Sequence, residues 1–429
     1  MASATMILSN LPDEVRLQRL EALVVASETL NRASGLDDIL QSILELIKTQ
    51  LDCERATVFL EDRRTEKLHA RQMTGSRPLE IVLEKGTGVA GYVAETGESV
   101  LINDVQQDAR FDPSTDQRTG FVTRNMLCVP LRKPDDAPVG SLQAINARTG
   151  AFSSSDLAYL ESFAALAAVA VEREQLAQDA LRARLLSTEL ELARKIQERL
   201  LPAPGKINLP QPFSAWGTSQ SCFDVGGDAY DAMVLPTGEC AFWVADVSGK
   251  GIGAALLMTT LQTELRALVR AEQNLSKLAT ILDARLTAAA PIGTYATLFL
   301  GVLSAERETL RYINAGHVPP VWIHSQSEEA RTFEVSGKLI GLALPGNSYV
   351  TGETSFSRGE RLAIFSDGVT DAENTAGETF EDHGLENAHS RIEASEVEEI
   401  GEGFFEALDR FRIGAPAKDD TTYLVVGLD

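Results

Sequence analysis

Apolar residues in the first fifty positions recur at helical spacing. Leu17, Leu20, Leu23, Val24 and Leu30, then Ile39, Leu40, Ile43 and Ile47, predict two opening helices broken at Ser34-Gly35. The pattern then changes period. Residues 55–60, 79–83, 99–102, 126–131 and 140–146 are alternating or β-branched-rich runs punctuated by Gly and Pro, which predicts an antiparallel sheet bracketed by helices. After Gly150 neither Gly nor Pro occurs until Pro202, so residues 156–201 are expected to form one nearly unbroken helix. Leu181, Leu185, Leu192, Ile196 and Leu200 keep an apolar stripe on it, which suits a parallel coiled coil between two subunits, with Thr188 interrupting the strict heptad. Pro202-Ala-Pro-Gly205 ends the helix. Beyond it, strands are expected at 241–247, 294–303, 309–314, 320–324, 361–366 and 421–428, and amphipathic helices at 253–271 and 276–289. The expected class is α+β, with an opening helix over 1–35, domains over 36–172 and 205–429, and a linker helix over 173–204.

Composition narrows the function. A chain of 429 residues exceeds what one core usually serves. With 44% hydrophobic and 24% charged residues it has ample core-forming material. The formal net charge of −23, from 62 acidic and 39 basic residues, argues against nucleic acid and anionic lipid as partners. The arginines at 173, 182, 184, 194 and 199 are interleaved with glutamates, as on a solvated helix face. Cys53, Cys128, Cys222 and Cys240 lack the spacing of a zinc site or a disulfide framework, so a reducing cytoplasm is expected. The longest purely apolar run, 163–171, falls short of the roughly 20 residues a spanning helix needs.

Four short acidic motifs carry the candidate chemistry. Asp246 and Asp367 each follow an apolar β-prone run, Asp419 and Asp420 precede one, and Asp228 sits in Gly-Gly-Asp-Ala-Tyr-Asp231. Carboxylates gathered at strand ends repel one another unless hard divalent cations hold them, and oxygen ligands favour magnesium or manganese. Gly249-Lys-Gly-Ile-Gly253 permits a tight turn into a helix but lacks the P-loop order. His317, in a Gly-His-Val-Pro-Pro turn, reads as a residue ordering its loop, and Asp371 and Glu373 read as surface carboxylates.

Six segments, in order, resemble the metal-dependent protein phosphatases (the PPM family), in the bacterial branch that acts on anti-anti-sigma factors. They are Asp224-Val-Gly-Gly-Asp-Ala-Tyr-Asp, Ala245-Asp-Val-Ser-Gly-Lys-Gly, Tyr295-Ala-Thr-Leu-Phe-Leu-Gly, Tyr312-Ile-Asn-Ala-Gly-His-Val-Pro-Pro, Phe365-Ser-Asp-Gly-Val-Thr-Asp and Lys418-Asp-Asp-Thr-Thr. The approach segment 192–202 is similar to the helix that precedes the catalytic domain in that branch, and Ala229 departs from the family's usual aromatic. The resemblance implies a β-sandwich flanked by helices and two cations, Mn2+ or Mg2+. Asp246 would bridge both, the Val247 carbonyl and Asp228 would complete the first, and Asp367 and Asp419 would hold the second, with Asp231 and Asp420 as supporting residues. Two cations sharing a carboxylate activate water for in-line attack on a phosphoryl group, with no protein nucleophile. The Gly-Gly-Asp of nucleotide cyclases is followed by Glu-Phe, which is absent here.

Residues 36–172 resemble a GAF sensor domain. The resemblance rests on Lys85-Gly-Thr-Gly-Val-Ala-Gly-Tyr, Asp108-Ala-Arg-Phe, the run from Thr119 to Leu131, and Gly140-Ser-Leu-Gln-Ala-Ile-Asn. Of the motif carried by cyclic-nucleotide-binding members, Asn146, Phe152 and Asp156 match, whereas Ala147 and Leu157 depart. The ligand is left open among a cyclic nucleotide, another small molecule and none. The expected protein is a cytoplasmic, homodimeric sensor phosphatase acting on a phosphorylated anti-anti-sigma-like (STAS) protein, with the helix before Pro202 transmitting the signal by the way it docks. The alternatives are an inactive ligand-binding scaffold and a two-metal nucleotide hydrolase or cyclase.

Overall fold

The computed structural model describes residues 12–33, 35–62, 65–72, 81–132, 136–324, 333, 337–342, 348–383 and 396–429. The chain divides into two compact units, residues 1–184 and 185–429.

In the first unit, α1 (Asp13–Arg32) and α2 (Leu36–Gln50) precede a six-stranded antiparallel sheet. The strands are β1 (Cys53–Asp62), β2 (Lys67–Gln72), β3 (Ile81–Leu83), β4 (Val100–Ile102), β5 (Met126–Leu131) and β6 (Gly140–Ala147), in the order β3-β2-β1-β6-β5-β4. Residues 79 and 80 of the third expected strand lie outside the described residues. Helix α3 (Gly88–Thr96) packs beside Val100, Met126 and Cys128, and α2 and the start of α4 (Ser154–Glu198) cover the main core. The apolar part of α4, from Ala158 to Val171, is buried against β1, β5 and β6, so packing accounts for its hydrophobicity. Asn146 is fully buried at φ 57°, a left-handed conformation that Asn tolerates better than most residues. Its Nδ2 donates to Glu54 and to the Val122 carbonyl, both at 2.9 Å, and its Oδ1 accepts from the Arg124 N–H at 2.8 Å. This residue therefore braces three segments, and Asp156 anchors Arg19 of α1 at 2.5 Å.

The second unit is a sandwich of two five-stranded antiparallel sheets, ordered β14-β12-β11-β10-β9 and β13-β15-β16-β8-β7. The first holds β9 (Asp228–Val234), β10 (Cys240–Val247), β11 (Ala296–Ser304), β12 (Thr309–Ala315) and β14 (Gly352–Ser355). The second holds β7 (Gly205–Ile207), β8 (Phe213–Gln220), β13 (Val321–His324), β15 (Arg361–Phe365) and β16 (Thr421–Leu428). Tyr230, Phe242, Val244, Phe299, Ile364 and Leu424 fill the space between them. Helices α5 (Ile252–Ala271) and α6 (Leu275–Ala289) cover the outer face of the first sheet, and α7 (Val397–Arg412) that of the second. Strands β2, β7, β8, β9 and β14 and helices α3 and α7 are additional to those expected, and α4 runs from Ser154 to Glu198 rather than from residue 156 to residue 201.

Candidate active site at the strand ends

Strand alternation decides which acidic side chains can meet. Asp228 opens β9, Asp246 is the penultimate residue of β10, and the two are direct antiparallel partners. Both share the parity of Tyr230 and Val244, which face the interior of the sandwich, so their carboxylates lie on that inner face. Asp231 is three residues from Asp228 and therefore faces the other way. Its carboxylate is buried against α5, where Arg266 donates at 2.5 Å and Gln262 at 3.1 Å. Asp231 is thus not brought into the cluster.

The other sheet contributes Asp367 and Asp419. Asp367 follows β15 and starts a single helical turn, Asp367–Thr370, while Asp419 stands two residues before β16. Strands β15 and β16 are antiparallel neighbours with Phe365 opposite Tyr423, which brings these two termini together. The close approach requires Gly368, since a Cβ there would lie 1.9 Å from the Asp420 carbonyl. Gly227 meets a similar restriction: a Cβ would come within 2.9 Å of the Val247 carbonyl and 3.8 Å of Asp246 Oδ1. The Val247 carbonyl therefore borders the same hollow as Asp246.

Burial and mutual repulsion dominate the electrostatics. Burial first, then the negative charges of Asp367 and Asp419, pushes Asp246 up to about 7. Burial, reinforced by Asp246, drives Asp228 well above the ordinary carboxylate range, and burial followed by Asp419 and Asp371 raises Asp367. Neither carboxylate oxygen of Asp228 has a hydrogen-bond partner, although the residue is 2% exposed. The Ser366 and Thr422 hydroxyls nearby are committed elsewhere, Ser366 to the Asp420 carbonyl and Thr422 to Ser219. A buried carboxylate without a donor is costly unless it is protonated or meets a cation.

Asp420 is different in kind. Its Oδ1 accepts from the Cys222 N–H at 2.7 Å and its Oδ2 from the Gly227 N–H at 2.6 Å, so it ties the Cys222–Gly227 loop to β16. Lys250, which the motif reading left without a role, places its ammonium 2.9 Å from Asp419 and 2.5 Å from the Lys418 carbonyl. His317 is buried, shares a 2.7 Å hydrogen bond with Thr297 through Nδ1, and donates its backbone N–H to Asn314 Oδ1 at 2.8 Å. Burial lowers its pKa to about 4, so it is a neutral residue that orders the turn.

An all-oxygen set of carboxylates and a carbonyl, with two orphaned buried oxygens, fits a hard divalent cation. Among the described residues, no three His, Cys, Asp or Glu side chains yet close on one point as bound ligands would. The carboxylates form an open cluster, one member of which holds the ammonium of Lys250.

Residues 236–429 match the family model Stage II sporulation protein E (SpoIIE), and residues 35–171 match the GAF domain. Protein IcfG of Synechocystis sp. is 29% identical over 221 residues, covering 45% of this chain and 34% of that protein. Probable 3',5'-cyclic phosphodiesterase pde-5 of Caenorhabditis elegans is 27% identical over 166 residues, covering 36% of this chain and 23% of that protein. The chain thus spans between about a quarter and a third of the length of these two relatives. Among solved structures, the SiaA-PP2C domain of Pseudomonas aeruginosa aligns at 20% identity and a TM-score of 0.47, covering 58% of this chain and 100% of that one.

Proposed function

From a chain that joins a GAF domain to a Stage II sporulation protein E domain, we infer a metal-dependent serine/threonine protein phosphatase under sensor control. The observation that carries this reading is the pairing of Asp246 with the donorless, buried Asp228 beside Asp367 and Asp419. Asp228, Asp246, the Val247 carbonyl, Asp367 and Asp419 would hold two divalent cations, Mg2+ or Mn2+, which supply water activation and neutralise phosphoryl charge. The protein's own residues do the positioning. Asp420 fixes the Cys222–Gly227 loop through two backbone N–H groups, Gly227 and Gly368 let the strand ends approach, and Ser366 holds the Asp420 carbonyl. Lys250 balances Asp419 at the solvent side of the cluster.

The substrate class we propose is phosphoserine or phosphothreonine on a small regulatory protein of the anti-anti-sigma (STAS) type, met in the cytoplasm. Support comes from the six motifs and from the family to which residues 236–429 correspond. A homodimer through α4 is supported by Leu181, Leu185, Leu192 and Ile196, each 57–60% exposed. In the GAF domain, a cavity lined by Arg55, Phe59, Asp116, Phe121, Thr123 and Gln143 suits a small planar ligand, a cyclic nucleotide among the candidates. Arg55 lies over the Phe121 ring at 3.6 Å within it.

Phosphate release from a phosphoserine peptide, followed with Mn2+ and again after chelation, tests the reading. The expected result is turnover that chelation abolishes and added Mn2+ restores; turnover indifferent to chelation, or confined to nucleoside triphosphates, would contradict it.

A further inference from the structure

Away from α4, the large apolar side chains that the C-terminal unit exposes among its described residues are Phe223, Ile252, Leu256, Ile292, Val350 and Ile413. The first four, each more than half exposed, stand on three segments that meet beside the carboxylate cluster. Val247, whose carbonyl borders that cluster, ends β10, and the chain then passes through Ser248 and Gly249-Lys-Gly251 into α5. On α5, Ile252 and Leu256 lie one turn apart on the exposed face. The loop carrying Ile292 is fastened to the same turn. Ser248 donates its N–H to the Tyr295 carbonyl at 2.8 Å, and the Tyr295 N–H donates to Ser248 Oγ at 3.0 Å. The third segment is the Cys222–Gly227 loop, whose Phe223 ring stands 5.9 Å from the Lys250 ammonium that meets Asp419.

The surface between these side chains is open backbone. A Cβ at Gly249, Gly251, Gly253 or Gly293 would meet nothing within 4 Å, so another polypeptide can lie close against it. Charge also sets this rim apart. From Val247 to Thr263 the chain carries Lys250 and no acid, and from Leu286 to Ala305 it carries no charge of either sign, in a protein of net charge −23. A phosphorylated partner is repelled by an acidic surface and least by this part of it. Position names the occupant. Lys250, within the rim, reaches Asp419 with its own side chain, so a phosphoserine seated there is one side chain from the cluster.

We infer that this rim is the docking surface for the phosphoprotein: apolar side chains flanking the phosphoserine settle on Ile252, Leu256 and Ile292, beside Phe223, and the open glycine turn admits the phosphoryl group to the carboxylate cluster. The inference rests on the phosphatase reading and adds to it a preference, for phosphoserines with apolar neighbours.

The full-length chain is compared with Leu256→Ser and Ile292→Ser, singly and together, on three phosphate donors in Mn2+. These are para-nitrophenyl phosphate, a peptide with leucine and valine on either side of phosphoserine, and the same peptide with serine in those places. The wild type should show a KM about tenfold lower for the apolar peptide than for the polar one, as the burial of two partly covered side chains would give. The double variant should lose that preference through a higher KM for the apolar peptide, with kcat and the other two donors unchanged. Equal KM for both peptides in the wild type, or a preference that survives in the double variant, would overturn the inference. So would a kcat that falls alike on all three donors, which marks a disturbed metal site, or an altered oligomeric state with the preference intact, which assigns the rim to a second copy. A wild type that releases phosphate from none of the donors would sink the phosphatase reading itself. Fluorescence anisotropy of the two peptides on the wild type and the double variant then decides the docking surface by itself, and equal binding throughout would overturn it.

Discussion

Asp228 and Asp246 face each other directly across the antiparallel pair β9–β10, on the inner face of the sandwich, and neither oxygen of Asp228 has a hydrogen-bond partner. Side chains so paired have Cβ atoms about 5 Å apart. Two desolvated carboxylates at that separation favour binding a proton or a cation between them. Replacing Asp228 with Asn should therefore stabilise the metal-free protein while removing activity. Calorimetry in chelator should show the melting temperature of the C-terminal domain rise by about 2–4 °C, as about 1 kcal/mol would produce. A lower melting temperature would mean that Asp228 is satisfied in a way the geometry does not reveal.

Lys250 competes with any cation for Asp419. The pair is about half-exposed on both sides, so its strength is modest and screened by salt. Lys250→Met should raise Mn2+ affinity about threefold at low ionic strength, with the difference fading as salt is added. Titration of Mn2+ by electron paramagnetic resonance checks this, and weaker binding in the variant would assign Lys250 a supporting role instead.

His317 makes a pH prediction of definite sign. Its pKa is about 4 when folded, against 6.5 ordinarily, so the unfolded chain takes up a proton between those values that the folded chain does not. The stability it contributes is present above pH 6.5 and is lost as pH falls toward 4. A His317→Gln variant lacks this loss. The wild-type advantage in unfolding free energy should shrink by about 1.5 kcal/mol between pH 6.5 and 5, measured by denaturant titration of both proteins. A difference independent of pH would show that the imidazole is already charged in the folded state.

Asn146 predicts a loss of stability in the N-terminal unit. Asn146→Ala removes three hydrogen bonds and puts a Cβ-bearing residue without side-chain support at a positive φ. A loss of about 2–3 kcal/mol in the stability of residues 12–184 is expected. Asn146→Gly should recover only the backbone part. Equal stability of the alanine variant and wild type would refute the bracing role.

Much of the site was legible from sequence for a simple reason: aspartates at the ends of apolar runs are displayed wherever strand ends meet. Asp246, Asp367 and Asp419 were placed that way. The resemblance gives Asp231 a supporting role, although a separation of three within β9 puts it on the opposite face from Asp228. Helix α7 carried a readable pattern in Val397, Ile400, Phe404, Phe405 and Leu408, which line the core beneath the second sheet. Strands β8 and β9 were obscured by the glycines and polar residues that bracket the loop between them. The two hydrogen bonds between the Gln197 side chain and the Gly226 backbone, at 2.6 and 3.0 Å, were not legible, because the partner lies 29 positions away and contributes only backbone atoms.

The central claim is that Asp246 is the carboxylate on which cation binding and phosphate release both depend. The most direct measurement is phosphate release from a phosphoserine peptide across a Mn2+ titration, comparing the wild-type chain with Asp246→Asn. The account predicts saturable, Mn2+-dependent turnover in the wild type and at least a hundredfold loss in the variant, about 3 kcal/mol of transition-state stabilisation, that no Mn2+ concentration restores. Turnover in Asp246→Asn equal to that of the wild type would contradict it.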